Sequence, residues 1–167
     1  MKKQSILMLL VILCLSLALG ACGNTKDTKK ESAKEKKSSE LITPDKKKTY
    51  SLDQTIDFKG LHVTLVKASL VQDDKGKKDS VLKVDMKVKN NSSSKRTFTS
   101  IGMQIEDKDS KKLSIYPGEN IGEIIAPEKT VTGSAYFQVN GKAPYKIQYK
   151  DQDSDVTASW TIKDFSK

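Results

Sequence analysis

The run Leu82-Lys83-Val84-Asp85-Met86-Lys87-Val88-Lys89 alternates apolar and charged side chains without a break. Successive residues of a strand point to opposite faces, so the pattern puts the apolar side chains on one face and the charged ones on the other. That is a half-buried antiparallel strand, with a core on one side and water on the other. Comparable period-two runs are Ile101-Met103-Ile105, Val131-Gly133-Ala135-Phe137-Val139, Tyr145-Ile147-Tyr149 and Val156-Ala158-Trp160-Ile162. Between Leu61 and Val71 the alternation changes phase: Leu61, Val63 and Leu65 share one face, then Val66, Ala68 and Leu70 the other. Such a slip predicts a bulge or a change of sheet. Turn-forming residues divide the runs at Asp73 to Lys78 with Gly76, Asn90 to Ser94, Asp107 to Lys111, Pro117-Gly118, Pro127 and Asn140-Gly141. No segment carries a helical stripe. About seven to nine short strands without crossover helices predict an all-β fold of two antiparallel sheets packed face to face. Trp160, the only tryptophan, lies on the apolar face of the last run and is expected in the core.

The N-terminal end reads differently. Met1-Lys2-Lys3 supplies positive charge, and Ile6 to Leu19 is an apolar run interrupted only by Cys14 and Ser16. This is signal-peptide architecture, and the run is shorter than the roughly 20 residues that a membrane-spanning helix needs. It ends in Leu19-Gly20-Ala21-Cys22, which resembles the lipobox of bacterial lipoproteins. The resemblance implies recognition of Leu19, Gly20 and Ala21 by the lipoprotein signal peptidase, removal of residues 1–21, and acylation of Cys22. Two or three acyl chains anchor stably where one is marginal. With Cys22 acylated and Cys14 discarded, the mature chain has no thiol left for a disulfide or for chemistry, so stability must come from the core. Gly23 takes the place of the aspartate that often retains lipoproteins at the inner membrane of diderm bacteria. With the lysine-rich composition this points to the extracellular face of a Gram-positive cytoplasmic membrane.

Residues 22–49 are almost entirely Lys, Ser, Thr, Asp and Glu, with Leu41 and Ile42 the only large apolar side chains. Such a composition buries too little surface to offset the entropy of ordering, and predicts a flexible linker with a reach of about 30 Å. It also accounts for much of the net charge of +9. Two lysines leave with the leader, and the linker sets nine lysines against five acids. Residues 50–167 hold nineteen basic and sixteen acidic residues, a weak excess with no interleaved aromatic stripe. Nucleic-acid binding is therefore not expected.

The stretches VLKVDMKVKNNSS, IIAPEKTVTGSAYFQV and YKIQY carry a family likeness. They resemble a domain of unknown function found in Gram-positive lipoproteins, in which a strand runs into an Asn-Asn turn, a Pro-to-Gly-to-Phe strand follows, and a tyrosine-flanked strand closes. The matching positions are Asn90 and Asn91; Pro127, Gly133 and Phe137; Tyr145 and Tyr149. The resemblance implies an immunoglobulin-like β-sandwich over residues 50–167, similar to secreted immunoprotective extracellular antigens. Glu128 stands where that family commonly has glycine after the proline. These are turn and core positions, so the likeness brings no catalytic residue with it.

Tests for chemistry return little. Asp151, Asp153 and Asp155 alternate as in a calcium loop, but the sixth and twelfth positions are Val156 and Ile162 rather than glycine and glutamate. They are expected to form a polar turn between strands, and no metal or other cofactor is expected. His62 is the sole histidine, too few for a zinc site, and no Gly-x-Ser-x-Gly elbow presents a nucleophile. The expected function is non-enzymatic: a monomeric, lipid-anchored module that binds an envelope protein or wall component. Its candidate binding loops are the turn with Asn90, Asn91 and Arg96 and the loop with Tyr116. The alternative is a carrier of a small ligand or metal ion accessory to an envelope transporter, which needs a concave apolar pocket.

Overall fold

The computed structural model describes residues 40–165. The predicted leader, the acylation site Cys22 with Leu19, Gly20 and Ala21, and the linker up to residue 39 lie outside the described residues.

The alternating run becomes the long central strand β5 (Val81–Asn90), paired on one side with β4 (Leu61–Val71) and on the other with β9 (Thr130–Gln138), both antiparallel. β3 (Thr55–Phe58) and β1 (Leu41–Ile42) extend that sheet to the order β1-β3-β4-β5-β9. The second sheet has the order β2-β11-β10-β7, from β2 (Thr49–Tyr50), β11 (Thr157–Ile162), β10 (Tyr145–Lys150) and β7 (Met103–Glu106). A two-stranded ribbon joins β6 (Arg96–Thr99) to β8 (Gly122–Ile125). The sheets form a β-sandwich, as the family likeness implied. Its interior is where the apolar phases meet: Leu82, Val84, Met86 and Val88 of β5 are buried, and so are Tyr145, Ile147 and Tyr149 of β10 and Ala158, Trp160 and Ile162 of β11.

The predicted phase slip is a bulge. The β4–β5 register shifts between Leu65 and Lys67, so Val66 is the extra residue and its side chain is exposed, while Ala68 resumes the inward phase. Ile101 departs from the expected alternation. Residues Ser100–Gly102 form a 3-10 turn whose cap, Thr99, accepts a hydrogen bond from the Ile101 amide; Ile101 points out, 74% exposed, and the strand begins only at Met103. The linker boundary also needs correction. Residues 40–49, assigned by composition to the linker, belong in part to the domain, because Leu41 and Ile42 pair in parallel with Thr55 and Ile56, and Thr49 and Tyr50 with Ser159 and Trp160. Backbone pairing at a sheet edge needs few apolar side chains, so a composition average misses it.

Between the sheets an aromatic cluster is centred on Phe58. Its ring centroid lies 5.2 Å from Tyr149 and 6.3 Å from Trp160. Tyr50 adds an edge contact to Trp160, and Phe98 of the ribbon reaches Tyr149 at 5.0 Å. Phe58 therefore joins the two sheets. At the β8–β9 turn, Lys129 N–H donates to Ala126 O at 3.2 Å and Glu128 adopts φ 61°. That is left-handed backbone, which explains why glycine serves well at this position.

Two predictions follow from this packing. Phe58→Ala should lower the unfolding free energy by about 3–5 kcal/mol, the usual cost of deleting a buried phenylalanine; urea denaturation measures it, and a loss under about 1 kcal/mol would mean the sheets are not joined through this ring. At the turn, Glu128→Gly should leave stability unchanged or raise it by up to about 1 kcal/mol, while Glu128→Val should lower it by about 1–2 kcal/mol. The ion pair lost with Lys89 is solvent-exposed and weighs little.

Candidate binding groove

The two loops singled out from sequence have different fates. In the Asn90 turn, the Asn90 side chain is fully buried. Its Nδ2 donates to the carbonyls of Ser94 (2.7 Å) and Ile125 (2.8 Å), and its Oδ1 accepts from the Ser92 amide and hydroxyl. Every side-chain bonding direction closes the turn, which leaves nothing for a partner. Asn91 remains exposed, with Oδ1 accepting from Lys89 Nζ.

Arg96 is buried as well, and it engages two of the three aspartates of that turn. Its Nη2 donates to Asp151 Oδ2 at 2.7 Å and to Phe58 O at 3.2 Å, its Nε to Asp153 Oδ2 at 3.0 Å, and its Nη1 to Lys59 O at 3.0 Å. Asp153 Oδ2 also accepts from the Thr97 amide, Ser154 Oγ donates to Asp151 Oδ2, and Asp155 pairs outward with Lys150. The guanidinium supplies the positive charge that a metal would have supplied. Among the described residues no group of three or more His, Cys, Asp or Glu converges in a way that could hold a metal ion. His62 sits beside Asp57, Nε2 to Oδ1 3.6 Å, on the paired strands β3 and β4.

Tyr116 is the sequence candidate that stands in a usable surface. It lines an open groove of about 700 Å³ together with Val71, Asp74, Pro117, Tyr136 and Gln138. The groove is sewn together by long-range bonds. Tyr116 Oη donates to Asp74 Oδ1 (2.8 Å) and accepts from the Asp74 amide (2.9 Å). The Tyr116 amide donates to Tyr136 O, Asn120 Nδ2 donates to Tyr116 O, and Asn120 Oδ1 accepts from the Tyr136 amide. A side chain at Gly118 would sit against the Tyr136 ring, since an added Cβ meets Cδ2 at 3.5 Å. The Asp74 amide favours the phenolate of Tyr116, but the bond donated to the Asp74 carboxylate and the charges of Asp74 and Asp73 outweigh it, so the phenol titrates above its ordinary range. It stays a donor, and the ring stays fixed.

Tyr136 and Asp74 were not anticipated. The signal for Tyr136 was present: an aromatic residue on the outward phase of a strand, between the buried Ala135 and Phe137. The same strand shows why the family motif has glycine at position 133, where a Cβ would come within 2.9 Å of the Ile121 side chain. The space between the sheets is filled by the aromatic cluster and the aliphatic core around it. A carrier of the kind the sequence permits would have to hold its ligand in a surface groove.

Residues 50–159 match the family model described as Domain of unknown function (DUF4352). Among curated proteins none matches the sequence. Solved structures share the fold. The yjhA protein from Bacillus subtilis aligns with a TM-score of 0.55 at 14% identity, covering 69% of this chain and 100% of its own. The ycdA protein from Bacillus subtilis subsp. subtilis str. 168, proposed to be a lipoprotein, gives 0.50 at 21% identity, covering 62% of this chain and 36% of its own. A functionally unknown protein from Listeria monocytogenes EGD-e gives 0.50 at 18% identity, covering 69% and 84%. At these identities the likeness concerns the fold.

Removing one partner of a buried ion pair strands the others, so Arg96→Ala should cost about 3–5 kcal/mol of stability. Arg96→Lys should recover only part of it, because an ammonium cannot reproduce the planar fork. Thermal and urea unfolding of the two variants check this; an Arg96→Ala loss under about 1 kcal/mol would show that the network is dispensable.

Proposed function

The chain belongs to the DUF4352 family of domains of unknown function, and from that premise we propose that it is a lipid-anchored surface lipoprotein whose β-sandwich is a non-enzymatic binding module. The binding face is the groove of Tyr116 and Tyr136. The observation that carries the reading is the pre-organisation of that groove: Asp74, forty-two residues away in sequence, fixes the Tyr116 hydroxyl, and Asn120 bonds to the backbone of Tyr116 and of Tyr136. Rigid aromatic side chains contribute large contact area at little entropic cost, which suits a recognition surface. Catalysis has no comparable support. His62, the one histidine, faces Asp57 on the outer side of β4, and the other side chains weighed for chemistry are tied into turns and ion pairs.

The anchor rests on Leu19-Gly20-Ala21-Cys22 and on the apolar run before it. Acylation at Cys22 would place the module on the extracellular face of the cytoplasmic membrane, within reach of an envelope protein or wall component. The proposed lipoprotein character of ycdA, a structural neighbour, agrees with this placement.

The test is photocrosslinking in intact cells, with a benzophenone side chain at Gln72 in the groove or at Asn91 in the turn beyond the far end of β5. A discrete adduct from position 72 that disappears with Tyr136→Ala, and none from position 91, is the expected result. An adduct from position 91 alone, or none from either, would overturn the groove as the binding face. In the same strain, labelling with radioactive palmitate should be lost in Cys22→Ala; retained label would overturn the anchor.

A further inference from the structure

We propose that the groove takes an extended basic peptide segment of a partner protein, a lysine or arginine side chain lying against the tyrosines. This inference rests on the groove being the binding face. The lining brings together Asp73, Asp74 and Glu119 with a single lysine, Lys75. It is a negative enclave on a chain whose net charge is +9. Elsewhere some surface acids, such as Asp79 and Glu123, have no described lysine at ion-pair distance, while Asp85, Asp109, Glu128 and Asp155 each meet one. Among the described residues none of the three groove acids does, although lysine is abundant.

The hydrogen-bonding character of the lining narrows the ligand further. Asp73 Oδ1 is used by the amides of Lys75 and Lys77, which holds the carboxylate in place; its pKa is lowered chiefly by the Lys77 amide, so it remains charged. Asp74 gives Oδ1 to Tyr116 and has Oδ2 to offer, and the Glu119 side chain is exposed without a described partner. Gln138 Nε2 gives one of its two N–H groups to Ser80 O at 2.8 Å. The lining sets three carboxylates, which only accept, against one ammonium and the amides of Gln72 and Gln138, so its charge is negative on balance. A neutral sugar does nothing to balance that charge. Lysine and arginine side chains are donors only, and they fit. Tyr116 and Tyr136 are partly exposed in the same lining, and a cation resting over either ring would gain a cation–π attraction. The groove is open rather than closed, which suits a segment of chain entering at one end and leaving at the other.

The experiment is calorimetric titration of the full acylated chain in a neutral detergent. Three probes are used: an end-blocked hexalysine, a glycine-serine peptide of the same length, and a neutral hexasaccharide. Hexalysine should bind and the two neutral probes should not. Glu119→Lys should weaken hexalysine at least about tenfold without moving the melting temperature, because Glu119 is exposed and holds no partner. Raising the salt from low to about 0.5 M should weaken binding by a comparable factor. Hexalysine binding that is indifferent to Glu119→Lys, absence of hexalysine binding, or binding of the hexasaccharide instead would each overturn the proposal. If crosslinking from position 72 persists in cells while hexalysine fails, the groove remains the binding face and only the basic peptide is excluded.

Discussion

Arg96 holds together three parts of the sandwich that share no strand pairing at that point. Its guanidinium lies between Asp151 and Asp153 of the β10–β11 turn and the carbonyls of Phe58 and Lys59 at the β3–β4 turn, while its own backbone belongs to the β6–β8 ribbon. A buried ion pair gains little over an apolar contact of the same shape, because both charges must first leave water. Its value here is geometric. A planar fork with five donors matches two carboxylates and two carbonyls only in one arrangement, which sets how the ribbon sits against the turns. Tyr149 lies next to this network. Burial pushes its phenol pKa up, and the charges of Asp151 and Asp153 push it further, so the ring enters the aromatic cluster neutral.

The placement of this network explains where a binding surface can be. In the β4–β5 pairing Leu61 stands opposite Asn90, and Val71 opposite Val81. Arg96 and Asn90 close the Leu61–Asn90 end with buried hydrogen bonds, and the groove opens at the Val71–Val81 end, about 30 Å away along the strands. At the Leu61–Asn90 end Arg96 and the Asn90 side chain spend their donors inside the fold. At the other end polar groups are left for something else, and the loop of Tyr116 is held against β9 firmly enough to present them.

Much of this was legible in the sequence, for reasons that can be named. β5 was evident because a half-buried strand must alternate, and the bulge at Val66 because one extra residue inverts the alternation. Ile101 escaped because a three-residue turn capped by Thr99 leaves no periodic trace. The fate of Arg96 was hidden by chain distance: Asp151 and Asp153 lie more than fifty residues downstream, and read alone they resemble a cation loop. Yet Arg96 is the only arginine in a chain otherwise supplied with lysine. Where a solvated positive charge suffices, this chain uses lysine; its single arginine is spent where a bidentate, buried donor is required. Leu41 and Ile42 offered a similar cue, two apolar residues in an otherwise polar stretch, and both lie in the edge strand.

The rigidity of the groove also bears on how it would bind. The Tyr116 side chain, the Asp74 turn and the backbone of Tyr136 are held by bonds that exist before any partner arrives, so little ordering of the loop is required. The entropic cost falls on an extended partner segment instead. The contacts available to it are exposed carboxylates and half-exposed rings, each worth little in water and weakened by salt. Affinity would then depend on several weak contacts made together along the segment, and on holding partner and module near one surface. The proposed lipid anchor would supply that second condition, since confinement raises the effective concentration of the partner without any new contact. A modest groove on a domain anchored in the proposed way is thus physically coherent: the anchor would provide proximity, and the groove would have only to provide selectivity.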